Sequence, residues 1–296
     1  MTWPACPIED VEPQPGVVHG RVVFGRRGSQ EGVVIPGMSD GLATLGPAGS
    51  PASVAPPPTQ FSGFRVHHVA HRRALGQVGS APSGVPVVAR VSVTDLAADL
   101  VAYLDAEVVG PVILAGHSLG AMLALHVAAR RPQRVAALIL SAPALAADAA
   151  LVAGLDRWDR ALVAGDPVAY RRAAIEDAYT GTVRRDALAS LELDVVAKAG
   201  RAESVPPAAL ARHLALSGAA RSHDLRGQLG SVVAPALVVA GGEDHLVTPA
   251  AARAVATELA TAQFEVIDGV AHGFAEQAPA HFADLVATFL DRLRLL

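Results

Sequence analysis

Residues 112–120 read Val112-Ile113-Leu114-Ala115-Gly116-His117-Ser118-Leu119-Gly120. Pro111 opens a short, wholly apolar run, the pattern of a parallel strand buried on both faces. A serine flanked at two residues' distance by glycines follows. From Leu119 the chain is rich in Ala and Leu as far as Arg130-Arg131-Pro132, which predicts a helix and its stop. Strand, tight turn and helix in that order describe a nucleophile elbow. Such a turn needs small residues on both sides of the serine, because larger ones would clash, and it holds the serine strained and exposed.

Gly-x-Ser-x-Gly alone carries little weight, since a chain of this composition yields about 0.12 matches by chance. A second match occurs at Gly37-Met38-Ser39-Asp40-Gly41. Context separates the two. Ser39 also follows a strand-like run, but Gly41, Gly46, Pro47 and Gly49 cannot hold a helix after it. Ser118 therefore fits the elbow and Ser39 does not. Ser39 and Asp40 either line a pocket or turn the chain.

Outward from the elbow, strands are predicted at Val17 to Phe24, Gly32 to Ile35, Phe64 to Val69, Val135 to Leu140, Pro235 to Ala240 and Gln263 to Ile267. Helices are predicted from an N-cap at Ser92 or Thr94 to Glu107, from Pro249 to Leu259 and from Ala278 to Leu293. Residues 1–15 are Pro-rich, and 42–63 and 76–86 read as long loops. Residues 143–228 are Ala-rich and helical in periodicity, without strand runs. Strand–helix alternation on both sides of that block predicts an α/β fold, a doubly wound, mostly parallel sheet with an inserted helical cap. The domain reading is a core in two parts, 1–142 and 229–296, with the cap at 143–228.

The chain has 296 residues, 51% hydrophobic and 18% charged, so disorder as the main state is excluded. A net charge of −4 leaves no basic footprint for nucleic acid. One cysteine, Cys6, excludes an internal disulfide and a cysteine metal cluster. The N-terminus lacks the basic and apolar regions of a signal peptide, and apolar runs fall short of the roughly 20 residues of a spanning helix. The expectation is a soluble, cytoplasmic protein with no membrane partner and a small-molecule substrate.

A serine nucleophile needs a base held by an acid. Two segments supply candidates at the carboxyl ends of predicted strands, where α/β sheets bind ligands. These are Gly241-Gly242-Glu243-Asp244-His245 and Gly269-Val270-Ala271-His272-Gly273-Phe274. Asp244 is the preferred acid, with Glu243 competing. The chain order Ser118, Asp244, His272 is the order expected of this constellation. The His67, His68 and His71 cluster invites a metal reading, but no carboxylate ligand is near in sequence, and no metal is expected. No Gly-x-Gly-x-x-Gly follows a strand, so no dinucleotide or other cofactor is expected.

On these motifs the chain resembles the α/β-hydrolase superfamily, specifically its cap-bearing esterase-like and peroxidase-like members. The resemblance runs from about residue 17 to the C-terminus, weakest over 143–228. It implies Ser118 as nucleophile, His272 as general base and Asp244 as its orienter. It also implies an oxyanion hole made by the N–H groups of Leu119 and Met38. Two departures stand out: Pro36-Gly37 replaces the family's His-Gly, and His71-Arg72-Arg73 stands where an Asp and a Gly-rich turn are usual. Asp148 occupies an alternative acid position of the family and is read here as a solvated residue of the insertion.

The reaction expected is cofactor-free hydrolysis of an ester, thioester or lactone of a mainly apolar small molecule through an acyl-enzyme on Ser118. Gly37, Ser39, His117 and Trp158 are the candidate substrate-binding residues, with Tyr170 and Tyr179 as further lining candidates. The alternatives are an acyl transferase or cyclase of natural-product biosynthesis on the same fold, and a non-catalytic ligand-binding member.

Overall fold

The computed structural model describes residues 21–24, 30–38, 64–69, 71, 90–197 and 204–295. The Pro-rich residues 1–15, the segments 42–63 and 76–86, and Ser39 and Asp40 lie outside the described residues.

Seven strands form one sheet: β1 (Arg21–Phe24), β2 (Glu31–Ile35), β3 (Arg65–Val69), β4 (Val112–His117), β5 (Val135–Ser141), β6 (Ala236–Gly241) and β7 (Ala262–Ile267). Their order is β1-β3-β2-β4-β5-β6-β7. Every neighbouring pair is parallel except β1 with β3. The fold is thus the doubly wound, mostly parallel sheet read from the sequence. Although few residues separate β1 from β2, they do not pair, and β3 lies between them.

Among the described residues nine α-helices flank the sheet or lie in the insertion. Helix α1 (Val93–Glu107) opens on a capping box. The Ser92 hydroxyl accepts from Asp95 N–H at 3.1 Å, and the Asp95 carboxylate accepts from Ser92 N–H at 2.9 Å. Ser92, not Thr94, is therefore the cap. Helix α2 (Leu119–Arg130) is buried almost all round, as its run of Ala, Leu and Met demands. It packs on α1, β4 and β5. Strands β4 to β6 sit in the middle of the core: Ile113, Leu114, Leu138 and Val238 are fully buried.

Between β5 and β6 the chain makes α3 (Ala149–Val163), α4 (Pro167–Ala178), α5 (Gly181–Ala197) and α6 (Pro207–Arg221). Asp148 caps α3 by accepting from Leu151 N–H at 2.9 Å, and Asp166 caps α4 by accepting from Ala169 N–H at 2.8 Å. The entry and exit of this insertion meet at a neck. Ala146 bridges Asp224, and Leu225 N–H donates to Leu145 O at 2.7 Å.

The core resumes with β6, α7 (Pro249–Glu258) and β7. The helix expected from Ala278 to Leu293 is α9 (Pro279–Arg292), and a four-residue helix, α8 (Phe274–Gln277), precedes it. Ala278, at φ −133° and ψ 57°, separates them. Pro279 is the cause, since the residue before a proline is pushed out of the helical region. No helix among the described residues is long and apolar enough to cross a membrane.

Candidate active site

The site begins at Ser118. Its backbone stands at φ 54° and ψ −118°, a conformation non-glycine residues rarely adopt. The cause is the fold of the turn. Ser118 N–H donates to Ser141 O at 2.8 Å, tying it to the end of β5, while its own carbonyl starts α2. The flanking glycines are required by contact. A Cβ on Gly116 would lie 2.3 Å from Gly120 O, and one on Gly120 would lie 2.2 Å from Ile35 O. A serine at a helix N-cap usually spends its hydroxyl on the first turn. Ser118 makes no such side-chain cap bond.

The acid and the base come from the two next loops. Asp244 follows β6 and is 1% exposed. One carboxylate oxygen, Oδ1, accepts from Leu246 N–H and Val247 N–H, each at 2.9 Å. The other, Oδ2, accepts from Nδ1 of His272 at 2.7 Å. With Nδ1 as the donor, the neutral ring carries its lone pair on Nε2. Glu243, the competing acid, is exposed beside it, and the Asp148 carboxylate is spent as a helix cap.

The two loops lie backbone against backbone. Glu243 N–H donates to Val270 O at 2.9 Å, and a Cβ on Gly241 would meet Ala271 O at 2.3 Å. His117, next to Ser118, brings the elbow to the same place. Its ring centroid lies 4.6 Å from that of His272 and 6.0 Å from that of Phe274. Burial, then the neighbouring His272, push the His117 pKa down to about 3, so its ring is neutral.

Gly37 closes the other side. A Cβ there would lie 3.3 Å from His117 O and 3.5 Å from Ser118 Cβ. Met38, the following residue, is buried. Leu119 is the first residue of α2, so its N–H has no acceptor within the helix and sits at the positive end of the dipole. The structure thus brings together Ser118, Asp244, His272, His117, Gly37, Met38 and Leu119.

Trp158 lies on α3. Its indole N–H donates to Asp177 at 2.9 Å, and its ring packs edge-on against Tyr170, 6.2 Å between centroids. No described contact joins it to Ser118 or His272. Of the three aromatic candidates on the insertion, Tyr179 touches the His272 loop: its ring edge would meet a Cβ on Gly273 at 2.8 Å. His67 is spent on Glu31 at 2.8 Å and on the Tyr103 hydroxyl at 2.6 Å. Among the described residues no group of three or more His, Cys, Asp or Glu could hold a metal. The sequence reading missed Thr180 and Gln277, which bond the His272 loop from the insertion and from α8. Neither belongs to a local motif that would have found it.

Residues 63–277 match the family model described as serine aminopeptidase, S33. The chain is 43% identical over 74 residues to lipase LipV of Mycobacterium tuberculosis, covering 25% of this chain and 27% of that protein. That match spans about a quarter of the lipase. It is 30% identical over 207 residues to the RutD protein of Variovorax paradoxus, provisionally named a carbamate hydrolase, covering 69% of this chain and 76% of that one. Among solved structures, the α/β hydrolase MGS-M2 from a Medee basin deep-sea metagenome superposes with a TM-score of 0.70 at 18% identity, over 92% of this chain and 94% of that one.

Proposed function

The chain belongs to the serine aminopeptidase S33 family of α/β hydrolases, and on that premise we propose that it is a serine hydrolase of carboxylic esters, thioesters or lactones. One observation carries the reading: the buried Asp244–His272 hydrogen bond of 2.7 Å, on a loop whose histidine ring packs on the residue preceding a strained serine. Neither a binding module nor a stable core requires this costly arrangement.

In the proposed reaction Ser118 Oγ attacks the substrate carbonyl carbon and its proton passes to Nε2 of His272. Asp244 holds the ring in the required tautomer and stabilises its cation. The N–H groups of Leu119 and Met38 receive the oxyanion of the tetrahedral intermediate. The C–O or C–S bond to the leaving group breaks, and the leaving group takes the proton from His272. Water, losing a proton to Nε2, then attacks the acyl carbon and Ser118 departs with that proton. No step needs a cofactor or a metal. The insertion 143–228 acts as a cap, and its Ala, Leu and Val content favours a mainly apolar acyl group.

The names of the relatives extend the panel that tests this: p-nitrophenyl esters of rising chain length, a lactone, an aryl carbamate and an aminoacyl p-nitroanilide. The proposal predicts turnover of esters at rates that fall to background in Ser118→Ala. Turnover of the anilide or carbamate alone would move the chain to amide or carbamate chemistry. Ester turnover unchanged in Ser118→Ala would overturn the acyl-enzyme.

A further inference from the structure

The loop that carries His272 is bound on its far side by a ring of hydrogen bonds involving the insertion. Thr180, in the two-residue link between α4 and α5, is buried and donates its hydroxyl proton to Gly269 O at 2.7 Å. It accepts from Nε2 of Gln277 at 2.9 Å. Oε1 of Gln277 in turn accepts from Ala271 N–H at 3.0 Å. The orientation of the Gln277 amide follows from this pattern, because the Ala271 N–H is a donor and requires an oxygen opposite it. A third bond runs from Gly273 N–H to Ala178 O at 2.7 Å.

The N–H groups of Ala271 and Gly273 lie immediately before and after His272. The first is held by Gln277, the second by the end of α4. The acid loop holds only the other face, through Val270 O. Gly269, at φ +74°, is the bend that Thr180 pins. With these groups released, the six-residue loop 268–273 between β7 and α8 keeps, on the His272 side, the Nδ1 bond to Asp244, the bond from Glu243 N–H to Val270 O and the packing of the imidazole on His117.

We propose that Thr180 and Gln277 form a clasp that positions His272, so that the insertion sets the placement of the base as well as covering the site. They are positioning residues: neither touches the reacting atoms. The catalytic side of this inference rests on the serine hydrolase reading, while the placement of His272 does not.

The test uses the full chain with Thr180→Val, which keeps the shape and removes the hydroxyl, and Thr180→Ser, which restores it. Two readouts are taken. The first is the downfield proton resonance of His272 Nδ1–H bonded to Asp244, identified by its loss in His272→Gln. The second is the rate at which a fluorophosphonate labels Ser118, with kcat and KM on the best ester. In Thr180→Val the resonance broadens or moves upfield, labelling and kcat fall about tenfold to a hundredfold, and KM changes little. Thr180→Ser returns both readouts to wild type.

A folded Thr180→Val with the resonance, labelling rate and kcat of wild type overturns the clasp, as does a Thr180→Ser that fails to restore them. A loss of melting temperature with the resonance unmoved also overturns it, since a merely structural contact would do that. If Thr180→Val does not fold, Gln277→Met removes both amide bonds and is read in the same way. Absence of labelling in wild type would count against the hydrolase reading, and the resonance would still decide the clasp.

Discussion

Nδ1 of His272 and Oδ2 of Asp244 stand 2.7 Å apart, while Oδ1 of the same carboxylate takes two backbone N–H groups. The carboxylate therefore cannot turn away from the ring without losing three bonds. In Asp244→Asn the amide presents a donor or a weaker acceptor to Nδ1, and the ring is free to adopt the tautomer that puts a proton on Nε2. Ester turnover should fall by about a thousandfold or more, with the fold retained. Steady-state kinetics alongside a circular dichroism spectrum check this, and a loss under about tenfold would contradict it.

The elbow depends on glycines for room rather than for backbone freedom. A Cβ on Gly120 would meet Ile35 O at 2.2 Å and Pro36 O at 2.6 Å, both backbone atoms that cannot move independently. Gly120→Ala should cost at least about 1–3 kcal/mol and displace β2 from α2. Gly110→Ala is the contrast: φ is +78° but nothing lies within 4 Å of the added carbon. Its cost should be about 1 kcal/mol of backbone strain. Urea unfolding of both variants should rank Gly120→Ala as the more damaging, and the reverse order would remove the close approach from the account.

His126 on α2 and His223 at the neck of the insertion are 3.2 Å apart, Nε2 to Nδ1, and His223 Nε2 lies 2.8 Å from Ala144 O. Ala144 O can only accept, so His223 Nε2 carries the proton, His223 Nδ1 accepts, and His126 Nε2 donates. Thr94 Oγ1 stands 3.5 Å from His126 Nδ1. Burial, then His223 and Arg130, lower the His126 pKa from 6.5 to about 4. Burial also lowers that of His223, against the opposing pull of Ala144 O and Asp224. The unfolded chain binds protons first as the pH falls. Stability is thus complete above about pH 6.5 and is lost between there and about pH 4, by about 3 kcal/mol from His126. His117 adds to the same slope, so the comparison is with His126→Gln, whose stability against pH should be the flatter. Parallel slopes for the two proteins would refute the assignment.

Asp159 on α3 gathers three groups from α6: His213 at 2.9 Å, Ser217 at 2.8 Å and Arg221 at 2.8 Å. Burial alone would raise its pKa, but these bonds outweigh burial and hold it below the usual carboxylate value. His213 is fully buried, and Tyr170 packs edge-on against it. Asp159→Ala leaves the buried His213 Nε2 and the Ser217 hydroxyl without this acceptor, while Arg221 keeps Asp156 at 2.8 Å. A cost of about 2–4 kcal/mol is expected. Hydrogen exchange should show it as faster exchange in α3 and α6 with β4 and β5 unchanged, whereas uniform exchange across the chain would contradict a local role.

How far these features can be read from sequence depends on how local they are. The elbow is local: five residues and the apolar strand before them state the crowding that the glycines relieve. The order Ser118, Asp244, His272 is legible because each residue sits at the end of an apolar strand run, and the parallel sheet gathers those ends. Thr180 and Gln277 are 97 residues apart in the chain and meet only because the insertion folds back on α8. No composition or periodicity near either one signals that contact. Trp158 is a second case of a pairing without a local signal: Asp177, 19 residues later, takes its indole N–H. The start of α9 is legible because Pro279 acts locally, pushing Ala278 out of the helical region.

The central claim is that Ser118 is an activated nucleophile. Intact mass after treatment with a fluorophosphonate tests it most directly, with Ser118→Ala and Ser39→Ala as controls. The account predicts one adduct on wild type, one on Ser39→Ala and none on Ser118→Ala. Folded wild-type protein that takes no adduct from the fluorophosphonate or from a small sulfonyl fluoride would contradict it, as would an adduct that persists in Ser118→Ala.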